Sequence, residues 1–172
     1  MTNEEILSYI RNIPDFPKKG ILFKDITTAL KDKAAYKAII DNMIKEINGL
    51  EVDYIVAIES RGYLFAAPLA YELNKGLVLI RKPGKLPAKV ERVEYDLEYG
   101  TDAIEIHADA IEKGKKVLIV DDLLATGGTI NASIKLVEKL GAQVLACMFL
   151  IELSELSKNA NIKAPVISLI KC

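Results

Sequence analysis

Val117-Leu118-Ile119-Val120-Asp121-Asp122-Leu123-Leu124-Ala125-Thr126-Gly127-Gly128-Thr129 is the stretch whose reading decides the fold. Val117 to Val120 reads as a strand buried on both faces, followed by two adjacent carboxylates and a turn of small residues. Ile130, Ile134, Val137 and Leu140 then share one helical face before Gly141. In an open α/β sheet, ligands bind outside the carboxyl ends of the strands, which is where such a turn lies.

The turn has the parts of a phosphate cradle. Ala125, Thr126, Gly127, Gly128 and Thr129 offer successive backbone N–H groups, two hydroxyls, glycines that permit close approach, and the positive end of a helix. The Gly-Lys-Ser/Thr of an ATPase P-loop is absent. Asp121 and Asp122 would repel a bare phosphate, but they suit a ligand with hydroxyls near its phosphate, because carboxylates accept charge-assisted hydrogen bonds from a diol. A ribose 5-phosphate has that layout.

Outward from this segment, short apolar runs at Val52 to Ile58, Leu77 to Ile80, Val144 to Ile151 and Val166 to Ile170 alternate with helical stretches. One of these is Gly62 to Leu73, where Pro68 should bend or shorten the helix. Strand, helix, strand is a βαβ order, so the expected fold class is α/β: three layers, a mainly parallel twisted sheet flanked by helices. Val90, Val93, Tyr95, Leu97 and Tyr99, then Ile104 and Ile106, do not fit that alternation and predict an antiparallel ribbon. Nearer the start, Thr2 and Glu5 form a capping-box pattern for a short helix, and Asp32 caps a second that carries Tyr36, Ile39, Ile40, Met43, Ile44 and Ile47 and ends at Gly49. No repeat or linker divides the chain, so a single domain over 1–172 is expected.

Composition narrows the function classes. The 172 residues hold 23 Lys+Arg and 24 Asp+Glu, a net charge of −1 that argues against a general nucleic-acid binder. With 51% hydrophobic residues the chain is apolar enough for a core, and runs such as Leu145 to Ile151 fall far short of the ~18 residues of a membrane span. Met1-Thr2-Asn3-Glu4-Glu5 lacks a secretory pattern, so the expected location is cytoplasmic, with no membrane partner. Cys147, Cys172 and His107 are the only cysteines and histidine, too few for a disulfide scaffold or a Cys/His zinc site, and none is given a role.

The strand, acidic pair and Ala-Thr-Gly-Gly-Thr turn resemble the phosphoribosyl pyrophosphate motif of the type I phosphoribosyltransferases, in particular of their adenine-using branch. Further segments resemble the family along nearly the whole chain. Glu59-Ser60-Arg61-Gly62 is placed like the pyrophosphate loop, which implies diphosphate contacts from Glu59, Ser60 and Arg61 and a cis peptide at Glu59–Ser60. Arg81-Lys82-Pro83-Gly84-Lys85 is similar to a segment whose cations, here Arg81, Lys82 and Lys85, meet pyrophosphate, some of them across a dimer interface. No aromatic residues are interleaved there for base stacking, which makes nucleic acid the weaker partner. Tyr95-Asp96-Leu97-Glu98-Tyr99-Gly100 resembles the mobile loop (about 82–108), with Glu98 as acid/base at the purine. Asp15 to Thr27 looks like the adenine-binding hood within about 1–35, the core then running over about 36–172; Phe23 supplies a ring, the backbones of Leu22 and Lys24 read the base edge, and Leu153 covers its other side. Lys19 and Lys24 depart from the proline and arginine common at those places.

The resemblance implies Mg2+-dependent transfer of a phosphoribosyl group to N9 of adenine, giving AMP and pyrophosphate, by a homodimer. Arg61 joins Glu98 as a catalytic residue, and Mg2+ is held mainly by substrate oxygens and water rather than by a protein cage. Two other readings remain open: transfer to another nucleobase such as xanthine, or a phosphoribosyl pyrophosphate sensor that regulates transcription, for which no spare DNA-reading segment is seen.

Overall fold

The computed structural model describes residues 1–97 and 100–172, and the chain divides into two compact units, Met1–Glu46 and Ile47–Cys172. In the first, α1 (Asn3–Ser8) opens with the full capping box: the Thr2 hydroxyl accepts from the Glu5 N–H, and the Thr2 N–H donates to the Glu5 carboxylate. Strands β1 (Arg11–Pro14) and β2 (Leu22–Asp25) pair antiparallel, with Ile13 opposite Phe23. Neither strand is foreshadowed by the periodicity, nor is the short helix α2 (Thr27–Lys31). At its start Asp25 accepts from the Thr27 N–H and hydroxyl at 2.9 and 2.7 Å and from Arg11, which together pull its pKa down to about 2. Helix α3 (Lys33–Glu46) begins where Asp32 accepts from the Ala34 and Ala35 N–H groups, and buries Ala35, Ile39, Ile40 and Met43.

The second unit holds a seven-stranded sheet. Five strands are parallel, β4 (Gly76–Arg81), β3 (Tyr54–Ile58), β7 (Lys116–Leu124), β8 (Gln143–Glu152) and β9 (Val166–Lys171), in that spatial order. The antiparallel ribbon β5 (Val90–Asp96) and β6 (Thr101–His107) extends the β4 edge through Ile80 opposite Ile106. The strands are near-continuous apolar runs because both faces are covered; Ile55, Ile80, Leu118, Ile119 and Phe149 are all but sealed from solvent. Each such side chain contributes about 1.5–3 kcal/mol.

Two boundaries and one peptide bond differ from the sequence reading. Helix α4 starts at Glu59, not Gly62, and runs to Glu72 through Pro68. The Glu59–Ser60 peptide is not cis; the cis bond among the described residues is Phe16–Pro17. The reversal from β3 into α4 comes instead from Glu59 itself, at φ +44°, a left-handed conformation that costs a non-glycine residue roughly 1–2 kcal/mol. Strand β7 passes through the acidic pair to Leu124 because β8, one residue longer, keeps pairing with it, Asp121 opposite Phe149 and Leu124 opposite Glu152. Helices α5 (Gly128–Lys139) and α6 (Ser154–Ser157) complete the unit, and among the described residues no helix is long and apolar enough to cross a membrane.

Candidate active site

Parallel register brings the chemistry-bearing segments to one end of the sheet. Ala57 lies opposite Val120 and Ile58 opposite Ile80, so the residues just beyond them, Glu59, Asp121 and Arg81, emerge side by side at the carboxyl ends. Two adjoining cavities open there, of about 180 and 410 Å³.

The smaller is the turn after β7. Ala125, Thr126, Gly127, Gly128 and Thr129 line it with Asp121, Asp122 and Arg61. Gly127 takes φ +85° and caps α5, accepting from the Asn131 N–H at 3.0 Å; a Cβ there would lie 2.6 Å from the Ala160 Cβ. Helix α5 therefore begins two residues before Ile130, and its first residues, Gly128 to Ile130, line the cavity at the positive end of the helix dipole. Gly128 has room for the ribbon, with Tyr95 Cδ2 at 3.4 Å from the position a Cβ would take.

The larger cavity is lined by Glu59, Ser60, Arg61 and Lys82, with Tyr95, and shares Arg61, Asp121, Asp122 and Thr129 with the first. Arg61 Nε lies 3.1 Å from Asp122 Oδ2, a contact between a half-exposed cation and a buried carboxylate. Asp121 Oδ1 accepts from the Asp122 N–H at 2.8 Å; burial and then the neighbouring Asp122 charge push its pKa well above the carboxylate range. Gly62 allows this approach, since a Cβ there would sit 2.9 Å from the Val120 carbonyl oxygen.

The predicted residues do not all turn toward the cavities. The Glu59 carboxylate faces the protein, accepting the Lys82 N–H, with Arg81 Nε at 3.9 Å. Arg81 stacks over the Tyr63 ring at 5.6 Å and lines neither cavity. Lys85 is exposed and also lines neither, and Leu153 caps α6 beyond β8. Leu22 and Lys24 lie on β2 with Phe23, whose ring meets Phe16 edge to face at 5.1 Å. Glu98 and Tyr99 lie outside the described residues. Asp102 and Tyr63, which touch Lys82 and Arg81, escaped the sequence reading; only the register of β6 and the turn of α4 bring them in.

The phosphoribosyl transferase domain family matches residues 27–172. An adenine phosphoribosyltransferase of Thermoanaerobacter sp. (strain X514) is 58% identical, with 99% of each chain covered. The chain belongs to the adenine phosphoribosyltransferases of that family. The crystal structure of the family member from Thermoanaerobacter pseudethanolicus superposes with a TM-score of 0.95 at 57% identity, covering 99% of this chain and all (100%) of that one. The family member from Saccharomyces cerevisiae, solved with an imino-altritol bisphosphate and adenine, gives 0.91 at 38% identity over 97% of both chains.

Proposed function

We propose that the chain transfers the 5-phosphoribosyl group of phosphoribosyl pyrophosphate to N9 of adenine, releasing pyrophosphate and forming AMP, the purine-salvage reaction of its family. The observation that carries this reading is the pair of adjoining cavities joined through Arg61, Asp121, Asp122 and Thr129, a shape for a sugar bearing phosphate on one side and diphosphate on the other. The cradle from Ala125 to Thr129 takes the 5-phosphate, and Asp121 and Asp122 take the ribose hydroxyls. Ser60 and Arg61 at the start of α4, with Lys82, receive the diphosphate. Glu59 lines the same cavity with its carboxylate turned to the Lys82 N–H, and Arg81 and Lys85 lie outside the lining.

As the C1–O bond breaks, pyrophosphate leaves with the bonding electrons, and Arg61 and Lys82 stabilise the charge growing on it. N9 attacks C1, and Glu98 takes the proton that adenine carries at N7. Leu22, Phe23 and Lys24 read adenine, with Leu153 against the base; a backbone N–H and C=O set for N1 and N6 would face donor to donor with a 6-oxopurine, a mismatch worth roughly 10⁴–10⁵ in discrimination. The lining groups near the sugar are carboxylate and hydroxyl oxygens without His or Cys, a set that fits Mg2+. Asp121 and Asp122 are the protein carboxylates that would help substrate oxygens and water to hold Mg2+, which would supply neutralisation of the diphosphate charge. A homodimer is part of this reading, supported by Leu64 and Tyr71, exposed one heptad apart on α4. So is a cytoplasmic location, to which the two free cysteines are suited.

Pyrophosphate release with Mg2+, phosphoribosyl pyrophosphate and each of adenine, hypoxanthine, guanine and xanthine tests the reading. Release with adenine alone is expected; release with a 6-oxopurine overturns the base assignment, and silence with every base overturns the transferase.

A further inference from the structure

Lys82 does not point into the larger cavity unaccompanied. Its ammonium donates to Asp102 Oδ2, and Tyr95 donates its hydroxyl to the same oxygen at 3.3 Å. The other carboxylate oxygen accepts from the Ala103 N–H at 2.8 Å. Tyr95 and Asp102 sit directly opposite each other across the ribbon, and the Tyr95 hydroxyl continues the chain to Thr129 Oγ1 at 3.2 Å. One carboxylate on β6 thus engages the cation that follows β4 and, through Tyr95, a hydroxyl of the phosphate cradle. Asp102 itself lines neither cavity. The Lys82 hydrogen bond holds the Asp102 carboxyl below its ordinary range, so it is ionised at neutral pH.

Resting on the transferase reading above, we infer that Asp102 is a positioning residue that competes with the diphosphate for Lys82 and thereby loosens the hold on pyrophosphate. A diphosphate entering the larger cavity needs the Lys82 ammonium and meets the Asp102 charge behind it. The pair is partly exposed, with Lys82 at 41% and Asp102 at 28% of full side-chain exposure, so the competition is of the size of a surface ion pair. Such a pair corresponds to a roughly two- to fivefold change in affinity. The carboxylate favours product departure at the expense of substrate retention.

The test is calorimetric titration of the full chain with Mg2+-pyrophosphate, using wild type, Asp102→Asn, Asp102→Glu, Lys82→Met and the Asp102→Asn/Lys82→Met double variant. Thermal midpoints confirm that each is folded. Asp102→Asn should bind pyrophosphate roughly two- to fivefold tighter, Asp102→Glu should return toward wild type, and the gain should shrink in the Lys82→Met background. In steady state, the KM for phosphoribosyl pyrophosphate should fall in Asp102→Asn while that for adenine stays put. Unchanged or weaker binding by folded Asp102→Asn overturns the inference alone, as does a gain undiminished without Lys82. A wild-type chain that binds neither pyrophosphate nor phosphoribosyl pyrophosphate overturns the transferase reading and this inference with it.

Discussion

Gly62→Ala sets two effects of similar size against each other. Alanine is the better helix former by about 0.8–1.0 kcal/mol in a helix interior, so on propensity alone the variant should be more stable. The structure reverses the sign. The new Cβ would lie 2.9 Å from the Val120 carbonyl oxygen and 3.2 Å from Asp121 Oδ1, where ordinary contact begins near 3.4 Å. The nearer atom belongs to the backbone of a central strand paired on both sides by β3 and β8, so the helix must move, by about half an ångström. Overpacking of that kind costs about 1–3 kcal/mol, leaving a net loss of about 1 kcal/mol. The displacement also carries Arg61, the preceding residue, away from Asp122 Oδ2, now 3.1 Å from its Nε. A misplacement of 1 Å at a reacting centre can cost about 100-fold, so half of it should lower kcat/KM for phosphoribosyl pyrophosphate about tenfold. Urea unfolding followed by circular dichroism reads the first quantity, and initial rates of pyrophosphate release read the second. A variant at least as stable as wild type, with kcat/KM unchanged, would refute the argument that α4 is held against β7 at this glycine.

Three further outcomes follow from the charges. Asp121→Asn should raise stability at about pH 8 relative to wild type: the folded-state pKa lies above the unfolded one, so ionising Asp121 costs stability as pH rises through the folded value, and the amide has no such cost. The same variant should bind phosphoribosyl pyrophosphate at least about tenfold more weakly by calorimetry. Asp25→Asn should remove an acid-sensitive component, because a carboxyl lowered from 3.8 to about 2 contributes stability that is present above the unfolded value and lost as pH falls through the folded one; acid unfolding curves of the two proteins should converge toward pH 2. Glu98→Ala should lower kcat by about 10²–10⁴ with little change in adenine binding, and an unchanged kcat would remove Glu98 from proton transfer.

How far a sequence discloses such a structure depends on what sets each feature. The parallel strands were legible because a sheet covered on both faces demands unbroken apolar runs, and Val144 to Ile151 falls inside the observed Gln143–Glu152. The ribbon was legible from its period of two, which survives as the alternating exposure of Arg92, Val93, Glu94, Tyr95 and Asp96. The start of α4 was not, because a left-handed Glu59 leaves no mark of the kind a glycine leaves. Nor was the β1–β2 pairing, four residues to a strand and with little burial pattern to read.

That the turn from Ala125 to Thr129 lines a cavity at the sheet's carboxyl end was legible because it is local: five consecutive residues supply its N–H groups, hydroxyls and glycines. Charge pairing around it is not local, and that changes what the cations mean. Read along the chain, Arg61, Arg81 and Lys82 look like bare charges awaiting a diphosphate. In the structure Arg61 meets Asp122, Arg81 approaches Glu59 and lies over Tyr63, and Lys82 meets Asp102, partners supplied by β7, α4 and β6. The charges of Glu59 and Asp102 also oppose a diphosphate. On the proposed reading, diphosphate binding by Arg61 and Lys82 would be an exchange of ionic partners rather than the filling of vacant ones, and its strength a difference between two sets of contacts. For Lys82 and Asp102, a carboxylate with no sugar hydroxyl to bind, removing the carboxylate and removing its cation should then shift affinity in opposite directions, an asymmetry that counting lysines and arginines cannot anticipate.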